Sequence, residues 1–206
     1  MSIVFHHAPM SSASPVAWTL AELGVPHEKV LVDLKAGDQR KPAFLALNPN
    51  GKVPTLVADG VPMFEGLAIM MYLGDRFGVE KQLWPALTDP ARPQAMAWSA
   101  WAYVTVGSLL RVLSFASSDR VEAAFHNTAL AAHAKKELAA LLDILDAHLA
   151  TRAYLLGEGF SIADVIVGGT IGYARMTGVP LEPHPHVAGW LGRCLARPAQ
   201  REAMGW

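Results

Sequence analysis

The hydrophobic and polar positions of the first 78 residues alternate between short apolar runs typical of strands and longer periodic runs typical of helices. Strands are predicted at residues 3–5, 29–33, 55–58 and 61–64. Helices are predicted at residues 15–23, 41–47 and 67–77. The predicted order is therefore β-α-β-α-β-β-α. We expect the first two strands to be parallel because a helix joins them, and the last two to form a hairpin because they flank Asp59-Gly60.

The rest of the chain has a helical pattern. Residues 79–93 contain three prolines and no period, which is typical of a linker. Helices follow at residues 94–115, 121–150, 163–177 and 187–196, with a last short turn. The alanine-rich residues 123–134 keep the helical period, so we place them inside the second of these helices. The sequence predicts an α/β domain at 1–78, a linker at 79–93 and an all-α domain at 94–206.

Two helix starts carry specific signals. Ser14 precedes Pro15 and is predicted to cap the first helix, which Gly24 ends. Ser161 and Asp164 have the spacing of a capping box, for which we expect a structural role only. Replacing either residue of the box is expected to cost about 0.5 to 2 kcal/mol of stability.

Charge and composition narrow the range of partners. The 17 basic and 18 acidic residues nearly balance, so no positive field favours nucleic acid or anionic lipid. No apolar run approaches the roughly 18 residues that a membrane helix needs. The single cysteine, Cys194, excludes an internal disulfide and a cysteine zinc cluster, and the histidines lack metal-site spacing, so no metal is predicted. The first residues have no signal-peptide features, and we expect a cytoplasmic protein.

Several segments at fixed spacing carry a family resemblance. The run NPNGKVPTL begins at Asn48, FEGLAI follows the hairpin from Phe64, and FSIAD begins at Phe160. Together with APMSSAS from Ala8, they resemble the cytosolic glutathione transferases, in particular bacterial members of the serine type, over essentially the whole chain. The resemblance implies a thioredoxin-like N-terminal domain that binds glutathione, an all-helical C-terminal domain, a homodimer and a role in detoxification.

The residues around Pro54 are predicted to hold the middle of glutathione. Proline cannot donate a ladder hydrogen bond, so Pro54 belongs at the start of a strand, where either a cis or a trans bond would fit. The resemblance favours a cis Val53-Pro54 bond. The Val53 main chain would then turn outward and pair with the cysteinyl part of the tripeptide as an added strand.

The ends of the tripeptide have their own candidate residues. Glu65 and Gly66 begin a predicted helix, whose free N–H groups attract the γ-glutamyl carboxylate while Glu65 holds the ammonium. The alternative is that Glu65 is only a favourable first-turn charge. Most relatives carry serine in place of Gly66, and the missing hydrogen bond is worth about 1 kcal/mol. Gln39 and Lys52 lie near the tripeptide by analogy, although either could be a solvated surface residue, the reading we prefer for Lys52.

The glutathione thiol must ionise to react. Lowering its pKa by about two units takes roughly 2.7 kcal/mol. A hydroxyl hydrogen bond supplies about 1.5 to 3 kcal/mol and a helix N-terminus about 0.3 to 1 kcal/mol. Ser11 is our first candidate for that hydroxyl and Ser12 the second, because Ser14 is assigned to the cap; the alternative is that all three are loop and capping residues. The opening strand and turn contain no tyrosine or cysteine, which argues against those types of transferase.

The predicted function is conjugation of the glutathione thiolate to a small hydrophobic electrophile, with glutathione as co-substrate. One alternative is a glutathione-dependent isomerase of the maleylacetoacetate type, whose motif the SSAS stretch from Ser11 resembles. Reductive removal of halide uses the same thiolate. Another alternative is a non-catalytic glutathione-binding or regulatory module, which the absence of a hydroxyl at Gly66 favours.

Overall fold

A four-stranded sheet forms the centre of the N-terminal part of the computed structural model, which describes residues 2–204. Its strands are β1 (Ile3–His7), β2 (Glu28–Leu31), β3 (Thr55–Ala58) and β4 (Val61–Phe64), in the order β2-β1-β3-β4. As predicted, β1 and β2 are parallel, and β3 and β4 form an antiparallel hairpin. Asp59 and Gly60 have φ values of 50° and 84°, the positive values that a two-residue hairpin requires.

The helices of this part pack beside the sheet. They are α1 (Ser14–Leu23), α2 (Pro42–Leu45) and α3 (Gly66–Leu73), with a 3₁₀ turn at Asp38–Arg40 and a π-helical turn at Gly74–Gly78. Helices α1 and α3 contact each other, and their inward side chains are fully buried, as for Leu20, Ile69 and Leu73. This packing fixes the starts of α1 and α3. Both helix starts belong to the candidate site described below.

The predicted cap of α1 is wrong. Ser14 is already the first residue of the helix, and Ala13 precedes it without a capping side-chain hydrogen bond. The reason is that the chain turns one residue earlier than expected, since the Ser14 N–H donates to the Ser11 carbonyl at 3.1 Å. Pro15 nevertheless lies in the first helical turn, as predicted, where its missing N–H is not needed.

The remaining helices follow one another without strands in the described residues. They are α4 (Arg92–Ala100), α5 (Gly107–Ser117), α6 (Thr128–Leu149), α7 (Ile162–Met176), α8 (Pro185–Leu195) and α9 (Pro198–Met204). A π-helical segment at Trp101–Val106 joins α4 to α5. By length and composition alone the run 92–117 could cross a membrane, a test that core helices of soluble proteins also pass.

The predicted start of α6 is also wrong. Ala123–Phe125 forms a 3₁₀ turn, and the helix begins only at Thr128. Asn127 decides this start, because its side chain accepts a hydrogen bond from the Leu130 N–H at 2.9 Å. The alanines before it have the helical period, but they are exposed and gain nothing from packing.

The chain divides into two compact units. One contains the residues up to Thr88 together with those from Ala196 onward, and the other runs from Asp89 to Leu195. The chain therefore returns to its first unit at the end, where α9 packs against α1. The helical pattern of the sequence does not indicate this return.

The capping box of α7 is confirmed and extends beyond its own turn. Asp164 is fully buried and accepts hydrogen bonds from the N–H and the hydroxyl of Ser161 at 2.9 and 2.8 Å. Its other oxygen accepts from the Leu155 N–H at 2.9 Å and from Trp190 Nε1 at 2.8 Å. Burial raises the pKa of the Asp164 carboxyl, although these hydrogen bonds act in the opposite direction.

Asp164→Ala is expected to destabilise the protein by roughly 2 to 6 kcal/mol, more than the box alone predicts. The reason is that the buried N–H groups of Leu155 and Trp190 lose their acceptor, at about 1 to 3 kcal/mol each. Ser161→Ala is the matched control and should cost only about 0.5 to 2 kcal/mol. Urea unfolding of the two variants measures the difference, and equal losses would contradict this role of Asp164.

Candidate functional site

The turn between β1 and α1 presents the two candidate serines differently. The Ser11 hydroxyl donates to the Ala8 carbonyl at 2.6 Å and accepts from the Ala13 N–H at 3.1 Å. Ser11 is thus engaged as donor and acceptor within its own turn. Met10, which the sequence analysis missed, precedes it with a φ of 49° and a side chain that is 81% exposed.

Ser12 reaches out of the turn to the segment before β3. Its hydroxyl donates to the Val53 carbonyl at 2.7 Å, across 41 residues of sequence. The Val53-Pro54 bond is cis, which confirms that prediction. Ser12 is exposed, whereas Val53 and Pro54 are buried. The start of α1 and the entry into β3 therefore meet at this hydrogen bond.

Asn48 holds the loop that carries Val53. Its side-chain amide donates to the Lys52 carbonyl at 2.6 Å and to the Thr55 hydroxyl at 3.1 Å. Its carbonyl oxygen accepts from the Asn50 N–H at 3.0 Å, which forms a turn typical of asparagine. Only 2% of Asn48 is exposed. In the sequence, the only signal for this role is an asparagine three residues before a glycine, which indicates a turn but not which groups Asn48 binds.

Glu65 and Gly66 lie at the same edge of the sheet as Pro54. Thr55 pairs with Phe64, so the next residues outward on the two strands are Pro54 and Glu65. Glu65 has φ 69° and ψ 111°, a strained conformation for a residue other than glycine. Within residues 2–204, no side chain caps the start of α3 at Gly66. Its first N–H groups and the positive helix end are therefore suited to an anion.

Gln39 and Lys52 border the same loop. The Gln39 carbonyl lies so close to Gly51 that a Cβ on that glycine would be 2.9 Å away, and Gly51 has a φ of +59°. The Gln39 side-chain amide donates to the Leu34 carbonyl at 3.3 Å, while Oε1 is buried with no hydrogen-bond partner among the described residues. Lys52 is exposed. The structure thus brings all the candidate residues to one unit of the chain.

Two histidines at the end of β1 favour a neutral state beside this site. Burial lowers the pKa of His6, against an opposing effect of Glu28. Burial also lowers the pKa of His7, and the nearby positive charge of Lys29 adds to the shift. The His7 ring stacks on Phe5 with centroids 5.3 Å apart. In the described part of the chain, no three His, Cys, Asp or Glu residues are grouped to hold a metal.

Comparisons with known proteins agree along the chain. Residues 10–76 match the family model of the glutathione S-transferase N-terminal domain, and residues 120–193 match that of the C-terminal domain. Glutathione S-transferase GstB of Escherichia coli (strain K12) is 31% identical over 202 residues, with 94% of this chain and 93% of the relative covered. Glutathione S-transferase F9 of Arabidopsis thaliana is 30% identical, with 90% and 88% covered.

Solved structures are similar over the same extent. The theta class glutathione S-transferase from Xanthomonas axonopodis pv. citri, with glutathione bound, is 30% identical with a TM-score of 0.84 and covers 98% of this chain and 97% of its own. The glutathione transferase URE2P8 from Phanerochaete chrysosporium, with oxidized glutathione, has a TM-score of 0.87 at 22% identity and covers 99% and 94%. The second likeness shows the fold alone.

His7→Gln is expected to weaken the pH dependence of stability. Because the pKa of folded His7 is lowered, the unfolded chain binds more protons below about pH 6.5, so the free energy of unfolding falls as the pH drops through that range. Urea unfolding at about pH 7.5 and about pH 5.5 measures the slope. His133→Gln, at an exposed position on α6, is the control and should keep the wild-type slope. Identical slopes in wild type and His7→Gln would contradict the assignment.

Proposed function

The chain belongs to the glutathione S-transferase family and is a glutathione transferase, and we propose that its Ser12 hydroxyl activates the glutathione thiol for attack on a small hydrophobic electrophile. Its fold is a thioredoxin-like domain with a helical C-terminal domain, and glutathione is its co-substrate. The observation that carries the proposal is the 2.7 Å hydrogen bond between the Ser12 hydroxyl and the Val53 carbonyl.

We propose that glutathione lies along the edge formed by Val53 and the start of α3. Its cysteinyl part pairs with the Val53 main chain as an added strand. Its γ-glutamyl carboxylate binds the uncapped N–H groups at Gly66, and Glu65 holds the neighbouring ammonium. Gln39 contacts the other end of the tripeptide, and Lys52, which is exposed beside Val53, is a further candidate for that end. The buried, unpartnered Oε1 of Gln39 supports this placement, because a ligand N–H would satisfy it.

Ser12 is better placed than Ser11 to donate to sulfur, so we reverse the preference of the sequence analysis. The Ser11 hydroxyl already donates to the Ala8 carbonyl. Turning it toward sulfur would also disturb the hydrogen bond that it accepts from the Ala13 N–H. Ser12 is exposed and bonds to one carbonyl, at Val53. A hydrogen bond to a charged acceptor contributes about 1.5 to 3 kcal/mol, against about 1 kcal/mol for a neutral one. The Ser12 hydroxyl therefore makes a stronger hydrogen bond when it donates to a thiolate than when it donates to the Val53 carbonyl.

The proposed reaction needs no group beyond these residues. The thiol proton passes to solvent, and the Ser12 hydroxyl and the positive end of α1 stabilise the thiolate. The sulfur then forms a bond to the electrophilic carbon. In a substitution the leaving group departs with its electron pair, and in an addition the product takes a proton from solvent. The exposed, flexible Met10 beside the serines offers an apolar contact for the acceptor, which supports a hydrophobic electrophile.

An isomerase of the maleylacetoacetate type stays an alternative because it uses the same thiolate. We also propose that the protein is a soluble, cytoplasmic homodimer with a role in detoxification. Membership of the glutathione S-transferase family, with a relative that aligns over 94% of the chain, supports this proposal. Light scattering coupled to gel filtration tests the dimer, since a monomeric mass at assay concentration would contradict it.

Ser12→Ala is expected to lower kcat/KM for conjugation of an aryl halide about 10- to 100-fold. The lost hydrogen bond to the thiolate, about 1.5 to 3 kcal/mol, sets that range. The pH profile of kcat/KM should move to higher pH, because the bound thiol becomes less acidic. Ser11→Ala is the matched control and should retain the wild-type pH profile. A larger effect of Ser11→Ala on that profile would transfer the role to Ser11.

Gly66→Ser is expected to tighten glutathione binding about fivefold. The added hydroxyl can donate one hydrogen bond to the γ-glutamyl carboxylate, worth about 1 kcal/mol. Titration calorimetry measures the dissociation constant. Gly66→Ala is the control, since it adds the same Cβ without a hydroxyl and should not tighten binding. If both variants bind equally, the carboxylate does not lie at this position.

A further inference from the structure

A buried ion pair ties the end of the chain to α1. The guanidinium of Arg197 donates from Nε to Oε1 of Glu22 at 2.7 Å and from Nη2 to Oε2 at 2.8 Å. Trp18 Nε1 donates to Oε1 of the same carboxylate at 2.9 Å. The Glu22 side chain is 4% exposed and that of Arg197 is 30% exposed. Such a bidentate contact fixes the relative orientation of the guanidinium and the carboxylate as well as their distance.

The pair lies where the chain re-enters its first unit. That unit resumes at Ala196, and Arg197 is the next residue, 175 positions after Glu22. The Arg197 carbonyl accepts from the N–H groups of Gln200 and Arg201 at 3.2 and 3.4 Å, so this residue also begins α9. Helix α9 then packs against α1. Arg197 therefore sets how the returning segment meets α1.

Glu22 needs this partner. A carboxylate in the last turn of a helix faces the negative end of the helix dipole, and burial adds a further cost. Arg197 supplies the compensating charge, and Lys81 donates to the Leu23 carbonyl at the same helix end. Without Arg197, Glu22 would be a buried carboxylate at an unfavourable helix end, and α1 would have to move to let water reach it.

Any such movement reaches the other end of α1. Over its ten residues the helix is about 15 Å long, so a tilt at its last turn also displaces its first turn. Its first residue, Ser14, lies two positions after Ser12, whose hydroxyl must stay within hydrogen-bond reach of Val53 and of the sulfur beside it. A displacement of about 1 Å at reacting groups can reduce a rate about a hundredfold.

We infer that Arg197 is a positioning residue for the transferase reaction. It clamps Glu22 and thereby holds α1 in the place and rotation that direct Ser12 to the thiolate. This inference rests on the proposed role of Ser12. Arg197 touches neither glutathione nor the electrophile, and it acts only through α1.

The test compares Arg197→Ala and Arg197→Lys with the wild-type full-length protein in glutathione conjugation. We expect Arg197→Ala to lower kcat at least tenfold and to shift the pH profile of kcat/KM to higher pH, because the thiolate loses a well-placed donor. Arg197→Lys keeps the charge but not the bidentate geometry, so we expect its kcat and pH profile to lie between those of Arg197→Ala and the wild type. Arg76→Ala is the matched control. It removes a largely exposed pair with Asp59 in the same unit and should change neither quantity.

Circular dichroism at the assay temperature establishes that each variant is folded, and Glu22→Gln replaces Arg197→Ala if that variant is not. A folded variant with wild-type kcat and pH profile would overturn the inference and leave the pair a purely structural contact. Ser12→Ala is measured in parallel, alone and combined with Arg197→Ala. A pH shift in Ser12→Ala but not in Arg197→Ala rejects only the role of Arg197. No shift in Ser12→Ala rejects both the role of Ser12 and that of Arg197. If the double variant loses more activity and shifts further than Ser12→Ala, Arg197 does not act through Ser12.

Discussion

The antiparallel pairing of β1 with β3 is the constraint on which the site depends. His6 lies opposite Thr55, so the turn after β1 and the segment that enters β3 leave the sheet side by side. At this junction the Ser12 hydroxyl donates to the Val53 carbonyl. Asn48 fixes one side of this junction and the packing of α1 fixes the other. Because β3 and β4 are paired, the same junction also sets the position of Glu65 and the uncapped start of α3. A hydroxyl, an uncapped helix start and the entry to β3 are thus brought to one place by short backbone connections.

The parts of the fold that could be predicted from sequence are those decided by neighbouring residues. The bounds of β3 and β4 were predicted correctly because Asp59-Gly60 leaves the chain one way to turn. The capping box at Ser161 is local as well, and it was found. Its extension to Trp190 is not local, and neither is Asp146, whose carboxylate accepts from the N–H groups at the start of α8 some 40 residues later. Contacts of that kind leave no periodic signal.

The site shows the same division. The resemblance pointed to the turn that contains Ser11 and Ser12, but it could not rank them. Adjacent residues in a turn differ in direction, and only the fold decides which hydroxyl faces Val53. Met10 was missed because an apolar residue in a loop reads as unremarkable until its exposure and positive φ are known. The role of Asn48 in holding the loop before β3 was not predicted, because it depends on the burial of this side chain and not on its identity.

The return of the chain after Ala196 has a consequence for how the protein is made. The unit whose synthesis begins first is completed last, because Glu22 is translated long before its partner Arg197. Until Arg197 and α9 are synthesised, α1 lacks both its ionic partner and the covering helix. For the same reason a fragment ending at Thr88 would lack Arg197 and α9, although Glu22 would keep its hydrogen bond from Trp18.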